Sequence, residues 1–420
     1  MQKGNLPMEE KTMHWAAVWG NAVSIAEHRP ESFARNITLR YPIDIPFSGD
    51  ALRFTFDNYC GSEAVKITRA TVALANPKAN SYKDLTCDVL EQKIADITFG
   101  GSESVEINAR ERIVSDPVPF QTPPGATVCV SIYLEDFTLM QSAVLITGPL
   151  SKGFFSFGDQ THAASLPLFE TKTTNWFYFL SNVDLYTASE NHAVICYGDS
   201  ITAQDWPDDL KLRLREMGCC HTSVIRRAAS GTRVLREYSC ITYDSYGLKG
   251  TNRFHHEIPT AGADTLIIQQ GINDIIHPVG ADVNVFRPMS DLPTVPELIE
   301  GLRWYITEAK KMGLTVYLGT LLPIYGWRTY APFREEMRCQ LNEWMRSNPD
   351  GTRCIDFDKA VRDNNHPERF AEGFDSGDHL HPSKAAYARM AAEVPAEILR
   401  QRRTMGAAGF GGSFAPSAQF

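Results

Sequence analysis

The residues Tyr197-Gly-Asp-Ser-Ile-Thr202 place a serine directly after a compact apolar run and before a helical stretch expected at 206–217. A serine at that junction projects from the carboxyl end of a sheet, where open α/β folds build their sites, and its own N–H faces an oxyanion forming on a bound carbonyl. Gly-Asp-Ser also occurs in ordinary turns, so the tetrapeptide alone does not separate a nucleophile from a turn. Three further groups of residues bear on it. Ser230-Gly231-Thr232 follows the run 223–229 and offers a glycine N–H at the tip of the next strand. Gly271-Ile-Asn273-Asp274 follows the run 265–269 and offers a carboxamide at the end of a third. Asp378-His-Leu-His381-Pro382 precedes the last helical stretch and can bring a carboxylate and an imidazole to the same place on one loop. The first two of these are also turn sequences by themselves. Together they are the parts of covalent catalysis by serine, whose hydroxyl is a poor nucleophile until a neutral imidazole takes its proton and a carboxylate fixes the imidazole tautomer.

The elements that would hold these residues change character along the chain. Across 15–185, short β-type runs at 36–41, 52–56, 65–74, 94–99, 127–134 and 176–180 are punctuated by Pro, Gly, Asn and Asp, with no convincing amphipathic helix between them. That spacing predicts an antiparallel β-sandwich or jelly roll. Beyond it, 193–197, 265–269 and 315–319 read as strands buried on both faces with helical segments between them, and strand–helix alternation makes a parallel sheet. The clearest helix spans 296–312: Thr294 and Glu297 form a capping box, Leu298, Leu302, Ile306 and Ala309 share a face, and Gly313 stands at the C-cap. A helix from Ser383 closes this part, and Pro395 should break or kink it. The expected organisation is a β-sandwich accessory domain over 1–188, an α/β catalytic domain over 189–402, and a tail over 403–420. The tail's GAAGFGGSFAPSAQF is expected to be disordered or loosely draped.

A chain of 420 residues is long for one core, in keeping with two domains. Its net charge of −9 and lack of a basic run argue against a surface that collects phosphates, so nucleic acid is not an expected partner. No run approaches a membrane span. Residues 1–13 are polar and charged, with no apolar stretch of signal-peptide length, so the expected location is the cytoplasm, or outside the cell if a leader has been removed. The nine cysteines are odd in number, scattered and without zinc spacing, and read as reduced thiols. His255-His256-Glu257 resembles a metal cluster only superficially, because no H-E-x-x-H spacing exists in the chain. No metal or other cofactor is expected. The elbow G-x-S-x-G is absent too, which argues against the α/β-hydrolase fold.

The four groups around Ser200, Gly231, Asn273 and His381 fall in the order and context of the SGNH (GDSL-type) hydrolase superfamily. Phe374-Asp-Ser-Gly-Asp-His-Leu-His-Pro-Ser383 resembles the last block of a bacterial branch that also carries an N-terminal β-domain. The resemblance covers 191–399 well, and extends more weakly into the first half through Trp15, Trp19, the strand at Trp176 and the overall length. It implies a flavodoxin-like three-layer α/β fold behind the β-sandwich, with Ser200 as nucleophile, His381 as base and Asp378 orienting His381. The Ser200 N–H, the Gly231 N–H and the Asn273 side chain become oxyanion donors. The short spacing from Asp378 to His381 leaves a Ser-His dyad open. By analogy the substrate is a small-molecule or oligosaccharide ester, with short acyl groups, above all O-acetyl, removed from sugars. A broad arylesterase or lysophospholipase is the nearest rival, and a non-catalytic carbohydrate-binding protein the contrasting class. A homo-oligomer is left open. Candidates for the substrate pocket are Asp199, Trp206, Arg227, Arg233, His277 and Trp327. For His277 a surface turn is the plainer reading, and His379, two residues from His381, is expected to point elsewhere.

Overall fold

The computed structural model describes residues 12–25, 33–76, 88–167, 170–238, 246–280 and 284–399. The second half is built on a five-stranded parallel sheet in the order Thr222–Ala228, His192–Gly198, Ala263–Gln269, Thr315–Gly319 and Arg353–Ile355. The first strand in sequence, His192–Gly198, is thus flanked by the second and third. The strand order reverses there, and such a switch point is where open α/β sheets place their sites, at the carboxyl ends of the strands. Every residue of His192–Gly198 is buried, which is why 193–197 reads as an apolar run; Thr222–Ala228 is equally buried although it carries Arg226 and Arg227. The helix Val295–Lys311 carries the expected Thr294–Glu297 capping box and ends before Gly313, whose φ is +78°. Lys384–Glu393 stops two residues short of Pro395.

The first half is built on two large antiparallel sheets, with three smaller ones of two or three strands beside them among the described residues. One runs Met13–Gly20, Leu180–Ala188, Gly49–Asp57, Arg112–Val114, with Val118–Thr122 also on Gly49–Asp57. The other runs Lys172–Thr174, Gly153–Phe157, Ile37–Asp44, Thr127–Leu134, Arg69–Ala75, Val89–Ile97. Leu52, Phe54 and Leu185 from the first meet Tyr41, Val72 and Val130 from the second, as alternation along half-buried strands requires. Two of the expected strands are each split in two. The run at 65–74 breaks at Thr68, and that at 176–180 breaks at Phe179, whose φ of +62° turns Trp176–Tyr178 and Leu180–Ala188 into different sheets. The seven described cysteines are free thiols, while Cys87, Cys240 and the tail at 403–420 lie outside the described residues. Among the described residues no helix is long and apolar enough to cross a membrane.

The halves are joined by polar contacts as well as by chain. Strand Met13–Gly20 pairs with Leu180–Ala188, yet its Ala17 accepts from Ser223 Oγ–H at 2.5 Å and donates N–H to Ala261 O at 2.9 Å. At the same edge strand, Asp208 of the helix Trp206–Glu216 accepts from Ser151 Oγ–H at 2.7 Å and Leu150 N–H at 3.0 Å, and pairs with Arg226 at 3.0 Å. Burial alone would raise the Asp208 carboxyl, but Arg226 and Lys211 outweigh it and hold it below the usual range. Both partners of this pair are almost fully buried, so removing one leaves a desolvated charge at a cost of about 3–5 kcal/mol. Asp208→Ala is therefore expected to lower unfolding free energy by that order in urea titrations; a loss under about 1 kcal/mol would show that the seam does not depend on the pair.

Candidate functional site

Gly198 ends the central strand because nothing larger fits: a Cβ there would lie 2.4 Å from Gln269 O of the neighbouring strand. The chain then turns at Asp199, whose carboxylate accepts the Ile201 N–H at 3.1 Å and caps the short helix Ser200–Ala203. Ser200 stands at the first position of that helix, where a backbone N–H has no intrahelical acceptor. Its Oγ–H donates to His381 Nε2 at 2.9 Å. His381 Nδ1–H in turn donates to Asp378 Oδ2 at 2.6 Å.

Three residues suffice to bring Asp378 under His381 because the carboxylate itself coils the loop. Asp378 Oδ1 accepts the N–H groups of Leu380 at 3.0 Å and His381 at 2.8 Å, and the Ser376 hydroxyl at 3.1 Å. Partial burial would raise this carboxyl, but the His381 side-chain and backbone hydrogen bonds and the Leu380 N–H hold it well below the usual range. It stays ionised wherever the protein is folded at ordinary pH.

Gly231 follows the strand Thr222–Ala228 with φ of +76°, and the Tyr246 ring occupies the place where a Cβ would sit, at 2.3 Å. Asn273, in the helix Ile272–Ile276, gives one Nδ2 hydrogen to Thr232 O at 3.1 Å. Its neighbour Asp274 accepts the Val234 and Leu235 N–H groups at 2.7 and 3.1 Å, which locks the Gly231 loop to the Asn273 helix. Nothing in the sequence marks Asp274 for this part. Its full burial, which raises its carboxyl to about 6, is the signal that a string of residues lacks.

The pocket candidates scatter. Asp199, Trp206 and Arg233 are buried to within 1 % and present no surface to a substrate. Trp206 packs on Phe357 and donates Nε1–H to Thr202. Arg233 lies over the Tyr238 ring at 4.2 Å, donates to Arg236 O and Glu237 O, and pairs with Asp291. Arg227 belongs to the seam, donating to Asn21 O, Ser181 O and Asn182 Oδ1. His277 is not a surface turn residue. It is buried one helical turn after Asn273, against the Tyr238 hydroxyl, which donates to Gly231 O at 2.9 Å. Burial and the nearby Arg287, Arg233, Arg328 and His381 hold His277 neutral, well below the usual histidine range. With Tyr238 donating to Gly231, the neutral imidazole gives its Nδ1–H to the Tyr238 oxygen. Trp327 is half-buried on a loop whose Gly326 abuts the His379 ring. His379 itself takes φ of +65° and is held by Asp375, 2.5 Å from Nδ1. His255, His256 and Glu257 diverge to Glu308, Asp57 and Arg253.

Residues 196–389 match the model of the GDSL-like lipase/acylhydrolase family. No curated protein matches the chain. Among solved structures it is similar to a GDSL-like lipase from Bacteroides thetaiotaomicron, with 17 % identity over 50 % of this chain and 90 % of that one and a TM-score of 0.37. It is likewise similar to an acetyl xylan esterase from Geobacillus stearothermophilus, with 16 % identity over 50 % of this chain and 96 % of that one and a TM-score of 0.37.

Asp199 carries a measurable consequence of this packing. Its Oδ2 is buried without a partner among the described residues, and burial raises the carboxyl from its ordinary 3.8 to about 7, against the Ile201 N–H and His381, which pull it down. Between those values the folded chain holds a proton that the unfolded chain has released, so Asp199 lowers stability as pH rises across the window. Asp199→Asn keeps an oxygen for the Ile201 N–H and removes the ionisation. Its melting temperature relative to wild type is expected to climb steadily between pH 4 and 7 in a calorimetric series; a constant difference across that range would mean that Asp199 is ionised in the fold.

Proposed function

We propose, from the premise that residues 196–389 are a domain of the GDSL-like lipase/acylhydrolase family and that the chain is a carboxylic ester hydrolase, that Ser200 attacks the acyl carbon and that the substrates are short-chain, chiefly O-acetyl, esters of carbohydrates. The observation that carries the reading is the unbroken hydrogen-bond chain from Ser200 Oγ through the His381 ring to Asp378. His381 Nε2 takes the Ser200 proton as the Oγ–carbonyl bond forms, and Asp378 stabilises the imidazolium. The Ser200 and Gly231 N–H groups and the second Nδ2 hydrogen of Asn273 receive the oxyanion. Imidazolium then protonates the leaving alkoxide, leaving an acyl-serine. Water attacks by the same route, releasing the carboxylic acid and restoring Ser200. In this reading 189–402 is the catalytic domain and 1–188 an accessory one.

Two features support the substrate class. Tyr246, Tyr238 and His277 pack together against the Gly231 turn, with ring centroids 5.1–5.6 Å apart, and in this reading they close the acyl side. That favours short acyl chains. On the alcohol side, the loop touching His379 carries the 41 % exposed Tyr325, edge-on to Tyr330 at 5.0 Å. Arg369 covers one face of the Tyr325 ring at 4.2 Å, and in this reading the exposed remainder meets the apolar face of a pyranose ring.

Ser200→Ala is expected to abolish hydrolysis of p-nitrophenyl acetate while leaving the melting temperature unchanged; more than a few per cent of residual activity would reject Ser200. Asp378→Asn should lower kcat by roughly 10⁴, because the imidazole can then take the wrong tautomer. A variant keeping most of its rate would reduce the arrangement to a Ser-His dyad. Across p-nitrophenyl esters of rising chain length, kcat/KM should be highest for acetate and fall by butyrate, and acetylated sugars should be deacetylated. A rise toward octanoate would instead favour a lipid-type acylhydrolase.

A further inference from the structure

Gly231 and Asn273 sit on different elements, the first on the turn after the strand Thr222–Ala228 and the second on the helix Ile272–Ile276. As oxyanion donors both have to aim at one oxygen, so the two elements must be held in register. The bond from Asn273 Nδ2–H to Thr232 O, and those from the Val234 and Leu235 N–H groups to Asp274, fasten the helix to the residues that follow Gly231. None of them reaches Gly231 itself.

Gly231 is where that turn has the most freedom. Its N–H belongs to the peptide before it and its carbonyl to the peptide after it, and the two torsions between them are those that a missing Cβ leaves open. Holding the carbonyl therefore helps to fix the direction of the N–H. The Tyr238 hydroxyl donates to that carbonyl at 2.9 Å. Its oxygen takes the Nδ1–H of His277, whose own backbone N–H bonds Asn273 O at 3.2 Å, one helical turn back. Residues four apart on a helix share a face. The path from Gly231 O through the Tyr238 hydroxyl and the His277 ring thus returns to Asn273, and joins both donors.

The protons on this path run one way. Burial pushes the Tyr238 phenol well above its ordinary value, so it remains a donor. The neutral His277 ring must carry its proton on Nδ1, because the other tautomer would draw the single phenol proton away from Gly231. The Tyr238 ring is pinned as well, with Arg233 over it at 4.2 Å and Tyr246 edge-on at 5.1 Å.

We propose that Tyr238 and His277 are positioning residues of the oxyanion hole, which tie the Gly231 turn to the helix of Asn273 so that both donors meet the same oxygen. The proposal rests on the reading of Gly231 and Asn273 as oxyanion donors. It gives the Tyr238 hydroxyl and the His277 Nδ1–H a part that closing the acyl side with their rings does not require.

Tyr238→Phe keeps the ring and removes the hydroxyl, His277→Leu removes the Nδ1–H, and His277→Asn puts an amide N–H near the same place. Each is compared with Asn273→Ala on p-nitrophenyl acetate, by thermal melting, and by inhibition with phenylboronic acid, whose tetrahedral serine adduct mimics the transition state. In Tyr238→Phe and His277→Leu kcat is expected to fall roughly tenfold to a hundredfold with KM within about twofold, and the inhibition constant of the boronic acid to rise in step. The double variant should lose no more than either single one, and His277→Asn should recover most of the rate. A Tyr238→Phe enzyme that keeps its kcat, a loss confined to KM, or a kcat loss with boronic acid binding unchanged would overturn the proposal. Should Tyr238→Phe not fold, the two His277 variants decide, and equal rates in them overturn it. An unimpaired Asn273→Ala sinks the oxyanion reading and the proposal together, whereas an impaired Asn273→Ala beside an unimpaired Tyr238→Phe sinks the proposal alone.

Discussion

The hydrogen bond between Ser200 Oγ and His381 Nε2 joins residues 181 positions apart, and most of the α/β half is explained by the need to make it. The serine must leave the central strand at its carboxyl end, which requires Gly198 to pass close to Gln269 and Asp199 to cap the first turn. The histidine must arrive from the far end of the chain on a loop stiff enough to hold an imidazole without a strand beneath it. Asp378 supplies that stiffness by accepting from the Leu380 and His381 backbone while also accepting from the His381 ring. One carboxylate thus shapes the loop and fixes the tautomer.

What could be read from the residues followed how uniform each local signal was. The strands at 193–197, 265–269 and 315–319 were legible because a strand buried on both faces is apolar throughout, and the helix Val295–Lys311 because its cap, face and terminal glycine agree. The helix Pro332–Arg346 was not, for a definite reason. Its buried face carries Arg334, Arg338 and Asn342, satisfied by Ile275 O, Pro278 O, Asp358 and Leu321, so polarity and burial run in opposite directions there. Strand Arg353–Ile355 is three residues long, and Met13–Gly20 abuts a charged segment that hid it.

The site divides along the same line. The blocks carrying Ser200, Gly231, Asn273 and His381 could be found because each sets particular residue types at a strand–turn or turn–helix junction. The pocket candidates could not, because a tryptophan or arginine near such a block has no sequence mark for the direction of its side chain. Trp206 and Arg233 turn inward and organise the scaffold, while Tyr238 and Tyr246, which carry no motif, form the wall beside Gly231. Burial decides these roles, and burial is a property of the whole packing.

The pairing of Met13 with Ala188 has a consequence for synthesis. Strand Met13–Gly20 is a sheet edge whose partner, Leu180–Ala188, leaves the ribosome about 160 residues after it, and whose further bonds to Ser223 and Ala261 come later still. Because elongation runs at roughly 5–20 residues per second, this strand waits on the order of ten seconds or more with its backbone unpaired. Its apolar residues, among them Ala17, Val18 and Trp19, are then an open edge of the kind that nascent-chain binders recognise.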